Sequence, residues 1–325
     1  MAALIDPMAS TLDIVELRHL TGRELDPLLL EETVEWQREL DWDFSRSADL
    51  VRQFADMRAL NGYALLDHGE VVGYGYSVLE DQRGLIGDLY LRPPWRNGAN
   101  EVRLFRTILD ALIATPSVWR IESQLMLVIP SIGYALAKER PVKLQERMLM
   151  KLDASSPSFH SAGAALRRFY IEPWADHHHE MAATVISLAY GEHIDSQINE
   201  QYRTVPGARR FLYNIVQFPG CGVFFRPGSF VAFDAATGWM AGIVLVSFIG
   251  DEVGHITQLC VTPRAQGNGL GYELLREAVN TLRMHGARRI SLTVTKANTE
   301  AIELYHRCGF QDVRDFLSYV WEGRQ

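Results

Sequence analysis

Cysteines and long apolar runs are scarce in this chain of 325 residues. Its three cysteines, Cys221, Cys260 and Cys308, include no pair with the CxxC spacing of zinc and redox motifs. Because the number is also odd, neither a disulfide framework nor a zinc knuckle is implied, and a reducing compartment fits best. The longest apolar run, residues 240–246, falls far short of the roughly 20 residues that a membrane-spanning helix needs. Because the first residues also lack the basic region of a signal peptide, we expect a cytoplasmic protein without a membrane partner.

Positive charge is also in short supply. The chain has 32 Lys and Arg against 40 Asp and Glu, a formal net charge of −8. Nucleic-acid binding depends on a basic surface that this sequence does not offer, so nucleic acid is excluded as a partner. With 47% hydrophobic and 22% charged residues, the composition is that of a folded globular protein, and the length predicts two domains.

A long internal repeat is present. Each half runs through a short strand, a helical region, a hairpin, a strand ending in proline, an amphipathic helix and a final strand–helix–strand. The segment at 88–93 aligns with 258–263 at an offset of 258 − 88 = 170. Small polar residues and a proline separate the halves. We therefore predict one domain at 1–153, a linker at 154–163 and a second domain at 164–325.

A glycine-rich loop follows the predicted strand 255–262 and precedes an amphipathic helix; it reads Gln266, Gly267, Asn268, Gly269, Leu270 and Gly271. At a helix N-terminus several backbone N–H groups are unpaired and the helix dipole is positive, so a pyrophosphate can bind there without a basic side chain. The spacing is neither the GxGxxG dinucleotide motif nor a P-loop. The alternative, that the glycines serve only the backbone angles of the turn, stays open.

A second element lies downstream, after the predicted strand 290–295. Asn298, Ala301 and Tyr305 are spaced three and then four residues apart, so they share one face of a helix. Asn298 is at the N-terminal end of that helix, where a side-chain cap is favoured. The tyrosine is thereby directed back toward the same end.

Together these two elements resemble the GNAT superfamily of N-acetyltransferases. The matching residues are Gln266-x-x-Gly269-x-Gly271 before one helix and Asn298-x-x-Ala301-x-x-Leu304-Tyr305-x-x-x-Gly309-Phe310 after the next strand. The match is close over residues 254–320. It implies an α/β fold of the α+β mixed-sheet kind, with two tandem GNAT-like domains. Each would be a mostly antiparallel twisted sheet with a central splayed parallel strand pair, flanked by helices.

The resemblance also implies a co-substrate, acetyl-CoA, and no metal. Its pantetheine arm would pair with the backbone of Leu259, Cys260 and Val261. The pyrophosphate would lie on the loop and first helical turn, formed by Gln266, Gly267, Asn268, Gly269, Leu270, Gly271 and Tyr272. Asn298 would contact the cofactor arm, a role compatible with that of a helix N-cap.

Tyr305 and His255 are the catalytic residues that the resemblance implies. The leaving group is a thiolate, whose thiol has a pKa near 8.5, so a phenol nearby can share or donate its proton as the carbon–sulfur bond breaks. His255 occupies a position where the family often has a glutamate, and its ordinary pKa near 6.5 suits a general base. A strand-end histidine bonded to solvent is the open alternative.

The first half lacks these features. At the same offset, residues 96–101 replace the glycine loop, with Ala99 and Glu101 in place of two glycines. A carboxylate at that position opposes a diphosphate. We therefore predict a degenerate N-terminal domain and one CoA site per chain.

The predicted function is an acyl-CoA-dependent N-acyltransferase that moves an acetyl group onto a primary amine of a small molecule or peptide. Its partners would be the acyl-CoA and this amine acceptor. Two alternatives stay open: a non-catalytic acyl-CoA sensor, and transfer to an oxygen or sulfur acceptor. The run His177-His178-His179 is predicted to be solvated rather than metal-binding, because consecutive residues fan around a helix.

Overall fold

The computed structural model describes residues 12–139, 141–157, 159–160, 163, 165–218, 220 and 222–323. The predictions for residues 1–11 and for Cys221 lie outside these residues, and the predicted linker 154–163 lies partly outside them. Within the described chain, no helix has the length and apolar character needed to cross a lipid bilayer.

Thirteen strands and nine α-helices are formed by the described residues. The strands are β1 Asp13–Glu16, β2 Asn61–Asp67, β3 Glu70–Glu80, β4 Arg83–Leu91, β5 Arg120–Gln124, β6 Lys143–Asp153, β7 Phe169–Pro173, β8 Val223–Phe224, β9 Phe230–Asp234, β10 Met240–Gly250, β11 Val253–Val261, β12 Arg289–Thr295 and β13 Gln311–Glu322. The helices are α1 Gly22–Leu40, α2 Ser45–Asp56, α3 Gly98–Ile113, α4 Pro130–Glu139, α5 His179–Tyr190, α6 Asp195–Ile198, α7 Val205–Gln217, α8 Leu270–Met284 and α9 Thr299–Arg307.

The chain forms two compact units that do not coincide with the predicted domain bounds. Unit 1 comprises Met1–Trp36, Phe44–Leu144 and Leu317–Gln325, and unit 2 comprises Gln37–Asp43 and Gln145–Phe316. The difference arises because strands are exchanged between the repeats. Most of β6, which ends the first repeat, pairs with β12 in unit 2, and the end of β13 pairs with β5 in unit 1.

Unit 1 has the strand order β1-β2-β3-β4-β5-β13. Its one parallel pair among the described strands is β4 with β5, and the other neighbours are antiparallel. Helix α3 packs its apolar stripe, which includes Leu104, Ile108 and Leu112, on this sheet.

Unit 2 has the strand order β6-β12-β11-β10-β9-β7, with β8 also paired to β10. Among the described strands only β11 and β12 run parallel. Helix α8 packs on one face, where Val244 and Val246 point, and α5 and α7 pack on the other, where Ile243 and Leu245 point. Strand β10 is apolar along its length because both of its faces are covered.

The predicted fold class is confirmed. Both units have a mostly antiparallel mixed sheet, a central parallel pair and flanking helices. The predicted hairpins, the strand before the glycine loop and the long helix after it are all present, with ends shifted by a few residues. The apolar stripe from Leu270 to Leu282 forms α8, and Gly286 follows its end with a φ of +90°, a conformation that glycine adopts without strain.

Candidate active site

The two parallel strands of unit 2 separate partway along their length. Strands β11 and β12 are paired from Val253 with Arg289 to Ile256 with Leu292. Beyond these residues β11 continues to Val261 and β12 to Thr295, without further pairing between them. The separation opens a gap at the carboxyl ends of both strands.

Backbone groups of β11 face this gap. Thr262 N donates to Ala241 O of the neighbouring chain segment at 2.8 Å, and Cys260 lies opposite Ile243 in the antiparallel ladder. Because successive N–H groups point to opposite sides of a strand, the N–H groups of Leu259 and Val261 point away from β10. The carbonyl of Leu259 accepts from Tyr190 Oη at 3.3 Å, which fits this orientation. The N–H of Val261 is therefore a donor directed at the gap.

The glycine loop leads from β11 into α8. Gly267 and Gly269 have φ angles of +73° and +76°, which other residues rarely adopt, so the turn itself requires glycine there. Gly271 does not have a positive φ, and a Cβ built on it would meet no atom within 4 Å. A glycine in a first helical turn is about 0.5–1 kcal/mol less favourable than alanine. The backbone conformation therefore gives no reason for glycine at position 271, whereas the close approach of a ligand would.

Asn268 has its side chain within the loop. Its Nδ2 donates to Gln266 O at 2.9 Å and to Ala265 O at 3.3 Å. These bonds brace the loop conformation. Of the loop residues predicted to bind the cofactor, Asn268 thus differs from Gln266, Gly267 and Gly269, which line the cleft described below.

Helix α9 places Asn298 and Tyr305 beside the same gap. Asn298 Oδ1 accepts from Ala301 N at 3.2 Å, so it caps the helix as its position predicts. Tyr305 is 8% exposed, with its ring 5.9 Å from that of Phe310. Its hydroxyl has no hydrogen-bond partner among the described residues. Burial raises the pKa of Tyr305, and the Asp195 carboxylate adds to the effect, so the phenol keeps its proton at neutral pH.

These elements enclose a cleft of about 710 Å³ in unit 2. Eleven of the thirteen predicted site residues line it: Leu259, Cys260, Val261, Gln266, Gly267, Gly269, Leu270, Gly271, Tyr272, Asn298 and Tyr305. The two that do not are Asn268 and His255. The structure therefore brings together a free strand edge, a helix N-terminus and a protonated phenol around one volume.

His255 lies outside the cleft lining. It is 5% exposed, its Nδ1 is 2.9 Å from Ser291 Oγ, and its ring centroid is 5.1 Å from that of Trp42. Burial lowers the pKa of His255 to about 4, and the positive charge of Arg147 contributes to the shift. At neutral pH it is a neutral, enclosed side chain, and this placement gives little support to the role of a general base.

Neither described cysteine is a nucleophile at neutral pH. Burial raises the pKa of the Cys260 thiol to about 12 and that of Cys308 to about 11. Both therefore remain protonated, whereas the thiolate is the reactive form.

The histidine run differs from its prediction at one residue. His178 is buried rather than solvated, and its Nε2 is 3.0 Å from Glu172 Oε1, close to the exposed His177. The three groups could hold a metal ion by distance alone. However, Nδ1 of His178 accepts from Ala175 N at 3.0 Å, so the proton of the neutral ring is on Nε2 and points to Glu172. In this tautomer Nε2–H donates a hydrogen bond to Glu172, which leaves Nε2 without a lone pair for a metal.

The sequence predictions did not single out several side chains beside the cleft. His193 and Ile194, in the turn after α5, line it. Asp195 accepts a hydrogen bond from the Thr295 hydroxyl. These residues belong to no recognisable motif, and only the fold brings them to the ends of β11 and β12.

The matching position of unit 1 is built differently. Helix α3 begins at Gly98 after Asn97, whose Oδ1 accepts from Asn100 N at 3.0 Å. Glu101 in its first turn is 3% exposed. Burial raises the pKa of Glu101 to about 7, opposed by the positive charge of Arg96. A carboxyl group thus occupies the helix start that glycines leave open in unit 2.

Comparisons with known proteins give the class. Residues 196–310 match the family model described as Acetyltransferase (GNAT) family. The fold resembles a GCN5-related N-acetyltransferase from Sphaerobacter thermophilus, with a TM-score of 0.69, 14% identity and coverage of 97% of this chain and 96% of that one. It also resembles a tandem GNAT protein from the clavulanic acid biosynthesis pathway, with a TM-score of 0.56, 15% identity and coverage of 97% and 99%.

Residues 196–310 thus match the GNAT acetyltransferase family model, and over nearly the whole chain the fold is similar to that of GNAT structures, one of them a tandem GNAT protein. Among curated relatives, a mycothiol acetyltransferase from Mycolicibacterium gilvum is 34% identical over 98 residues. That match covers 29% of this chain and 32% of the relative, so it spans about a third of the relative's length.

Proposed function

We propose that unit 2 is an acyl-CoA-dependent N-acyltransferase, which transfers acetyl from acetyl-CoA to a primary amine of a small molecule or peptide. The observation that carries this proposal is the single cleft lined by the glycine loop, the free edge of β11 and Tyr305. Acetyl-CoA is the co-substrate of the family, and the composition of the cleft suits it.

Binding would use backbone groups more than charged side chains. The diphosphate would accept hydrogen bonds from the N–H groups at the start of α8, where the helix dipole is positive. Gly267, Gly269 and Gly271 leave open space on that side, since a Cβ on any of them would meet no atom within 4 Å. The amide groups of the pantetheine arm would pair with the outward backbone groups of Leu259 and Val261, as an added strand pairs with a sheet edge.

The reaction would be a direct attack. The neutral amine nitrogen bonds to the thioester carbon, and the N–H of Val261 stabilises the negative charge that develops on the carbonyl oxygen. The carbon–sulfur bond then breaks, and the sulfur takes the proton of the Tyr305 hydroxyl. The phenolate recovers a proton from the cleft solvent, and the nitrogen loses its extra proton to the same solvent.

Tyr305 suits the acid role because of its environment. Its raised pKa means that the hydroxyl is protonated whenever the thiolate leaves. Its hydroxyl makes no bond within the described residues, so it is available to sulfur. The proposed mechanism assigns no step to His255, which lies outside the cleft lining.

The test is turnover with a panel of amines, amino acids and peptides, measured as release of the CoA thiol. Tyr305→Phe keeps the ring and removes only the hydroxyl. We expect it to lower kcat on the order of 10²-fold, because general acid catalysis is lost, while the Kd of acetyl-CoA by calorimetry stays the same. Tyr213→Phe, on an exposed position of α7, is the matched control and should change neither quantity.

Two results would contradict the proposal. If Tyr305→Phe weakened acetyl-CoA binding as much as turnover, the tyrosine would be a binding residue and not the acid. If the wild-type protein bound acetyl-CoA but released no thiol with any member of the panel, the sensor alternative would replace the enzyme.

A further inference from the structure

Arg147 is a cation without an acidic partner on the sheet of unit 2. Its Nη2 donates to Thr293 Oγ1 at 3.2 Å, and its guanidinium carbon is 5.9 Å from the centre of the Phe316 ring. Its Nε is buried, and none of the described residues accepts from it. No carboxylate of the described chain lies within ion-pair distance of this guanidinium.

Four other cations of unit 2 are paired with acids. These pairs are Lys151 with Asp41 at 2.7 Å, Arg289 with Asp41 at 3.0 Å, Arg314 with Glu39 at 3.3 Å and Lys296 with Asp315 at 2.7 Å. The fold thus supplies an acidic partner for each of these four cations, and among the described residues it supplies none for Arg147. A guanidinium has five donors in a planar fork, and an unsatisfied buried donor is costly, so the group is suited to an acceptor from outside the chain.

Arg147 lies beside the opening between β11 and β12. Its hydrogen-bond partner Thr293 directly follows Leu292, the last residue of β12 that pairs with β11. Thr295 lies two residues further on the same face, about 7 Å along the strand. Thr295 bonds to Asp195, and Asp195 is close enough to Tyr305 to raise its pKa.

A second weakly paired donor belongs to the neighbouring strand. Gln258 lies two residues beyond Ile256, the last paired residue of β11, and its buried Nε2 has no oxygen or nitrogen acceptor in the described chain, only the nearby thiol of Cys260. Its Oε1 is 3.5 Å from the Tyr202 hydroxyl, on the side of the sheet that α5 and α7 cover. Thr295 meets Asp195 of α6 on this same side. Beside the opening there are thus one unpaired and one weakly paired donor, and a carboxylate adjoins Tyr305.

We propose that Arg147 binds a carboxylate of the acceptor, so that the acceptor is a small amine that also carries a carboxylate group. The inference rests on the proposed function of the cleft. The carboxylate accepts from the guanidinium beside Thr293, and the amine extends toward Asp195 and Tyr305. Asp195 attracts the ammonium form, which gives up a proton to the cleft solvent before the neutral nitrogen attacks the thioester.

The test compares amino acids with their carboxamides. Glycine, β-alanine, γ-aminobutyrate and the common L-amino acids are each assayed against the matching amide with acetyl-CoA. We expect kcat/KM for the preferred acid to exceed that of its amide by at least about 10-fold, because a charge-assisted bond is lost in the amide. Arg147→Gln should raise KM for that acid on the order of 10²-fold and reduce the acid-to-amide ratio to about one.

Three comparisons make the result specific. Arg147→Lys keeps the charge without the planar fork and should retain part of the preference for the acid. Arg314→Gln removes a cation that already has a partner, Glu39, and should leave the ratio unchanged. The KM of acetyl-CoA and the circular dichroism spectrum should not change in Arg147→Gln, which separates recognition from loss of fold.

A second readout does not depend on turnover. The binding of the same amino acids and amides is measured by calorimetry, with no acetyl-CoA present, on wild type and Arg147→Gln. If acetyl-CoA failed to bind, only the proposed function would be overturned. The calorimetry of amino acids and amides without acetyl-CoA would still show whether Arg147 binds a carboxylate. Equal binding and turnover of acids and amides in wild type, or an unchanged preference in Arg147→Gln, would overturn the carboxylate site.

Discussion

In each unit a helix follows the first strand of the parallel pair, α3 in unit 1 and α8 in unit 2. The first turns of these two helices differ. In unit 2 the start of α8 has the exposed Gly269 as its N-cap and the half-buried Gly271 in its first turn, and a Cβ on Gly271 would meet nothing within 4 Å. In unit 1 the start of α3 contains Glu101, which is buried and has a raised pKa. Gly269 precedes α8 with a φ of +76°, whereas Asn97 precedes α3 with an extended φ of −136°. The two helices thus differ in the turn that leads into them and in what the helix N-terminus faces. It is open to a ligand in unit 2 and holds the protein's own carboxyl group in unit 1.

The base of the parallel strand pair differs as well. In unit 1, Arg120 is fully buried and bonds to Glu122 and Glu322, while Arg83 also bonds to Glu122. In unit 2 the corresponding first parallel pair is Val253 and Arg289, and the half-exposed Arg289 bonds to Asp41. Unit 1 thus has a buried ion-pair network where unit 2 has one partly exposed ion pair.

The largest expected effect comes from giving unit 2 the residue of unit 1. Gly271→Glu places a carboxylate where the diphosphate is proposed to bind. Two like charges about 4 Å apart near a protein surface repel by about 4 kcal/mol, so the Kd of acetyl-CoA should rise about 10³-fold. The melting temperature should not fall, because an acidic residue is favourable in a first helical turn and the space is open. Calorimetry and a thermal melt measure the two quantities.

Two variants serve as controls for this substitution. Gly271→Ala adds bulk without charge and should weaken binding much less. Gly98→Glu makes the same change at the start of α3, where a Cβ also meets no atom within 4 Å, and should leave acetyl-CoA binding unaltered. If Gly98→Glu weakened binding and Gly271→Glu did not, the cofactor site would belong to unit 1.

The second prediction concerns the buried ion pairs of unit 1. Arg120→Met removes a cation from two carboxylates, and breaking a buried ion pair typically costs about 3 kcal/mol. We expect the urea unfolding of the protein to show a loss of about this size. Arg288→Met is the control in unit 2, where Arg288 and Glu252 are 78% and 50% exposed, and should change the free energy of unfolding by at most about 0.5 kcal/mol. Equal effects in both variants would remove the distinction between the units.

The smallest expected effect is the pH dependence due to Glu101. Its pKa is raised in the folded state from an ordinary 4.5 to about 7, so the folded protein holds a proton that the unfolded chain releases. The stability from this group is fully present below about pH 4.5 and is lost as the pH rises through about 7. Glu101→Gln should match wild type at pH 5 and be more stable by about 1 to 2 kcal/mol at pH 8.5. Urea midpoints at both pH values test it, and a constant difference would contradict it.

Local sequence patterns predicted much of the candidate site. The stripe from Leu270 to Leu282 and the spacing of Asn298 and Tyr305 specify helices, because residues three or four apart lie on one helix face. The glycines indicated a ligand-facing helix N-terminus for the same local reason. Arg147 could not be predicted in this way, since its partner Thr293 is 146 residues away in the chain. Nor did any pattern show that His255 would be enclosed by Trp42.

The sequence by itself indicated the similarity to GNAT acetyltransferases, the duplication and the helix start that faces the cleft, because each is a pattern within segments of neighbouring residues. Only the tertiary structure decided which strands pair across the repeats and which polar groups meet at the opening of β11 and β12. The exchanged strands β6 and β13 show why. Pairing between distant strands is set by burial of whole faces in the folded units, and the spacing of residues within one segment does not encode it.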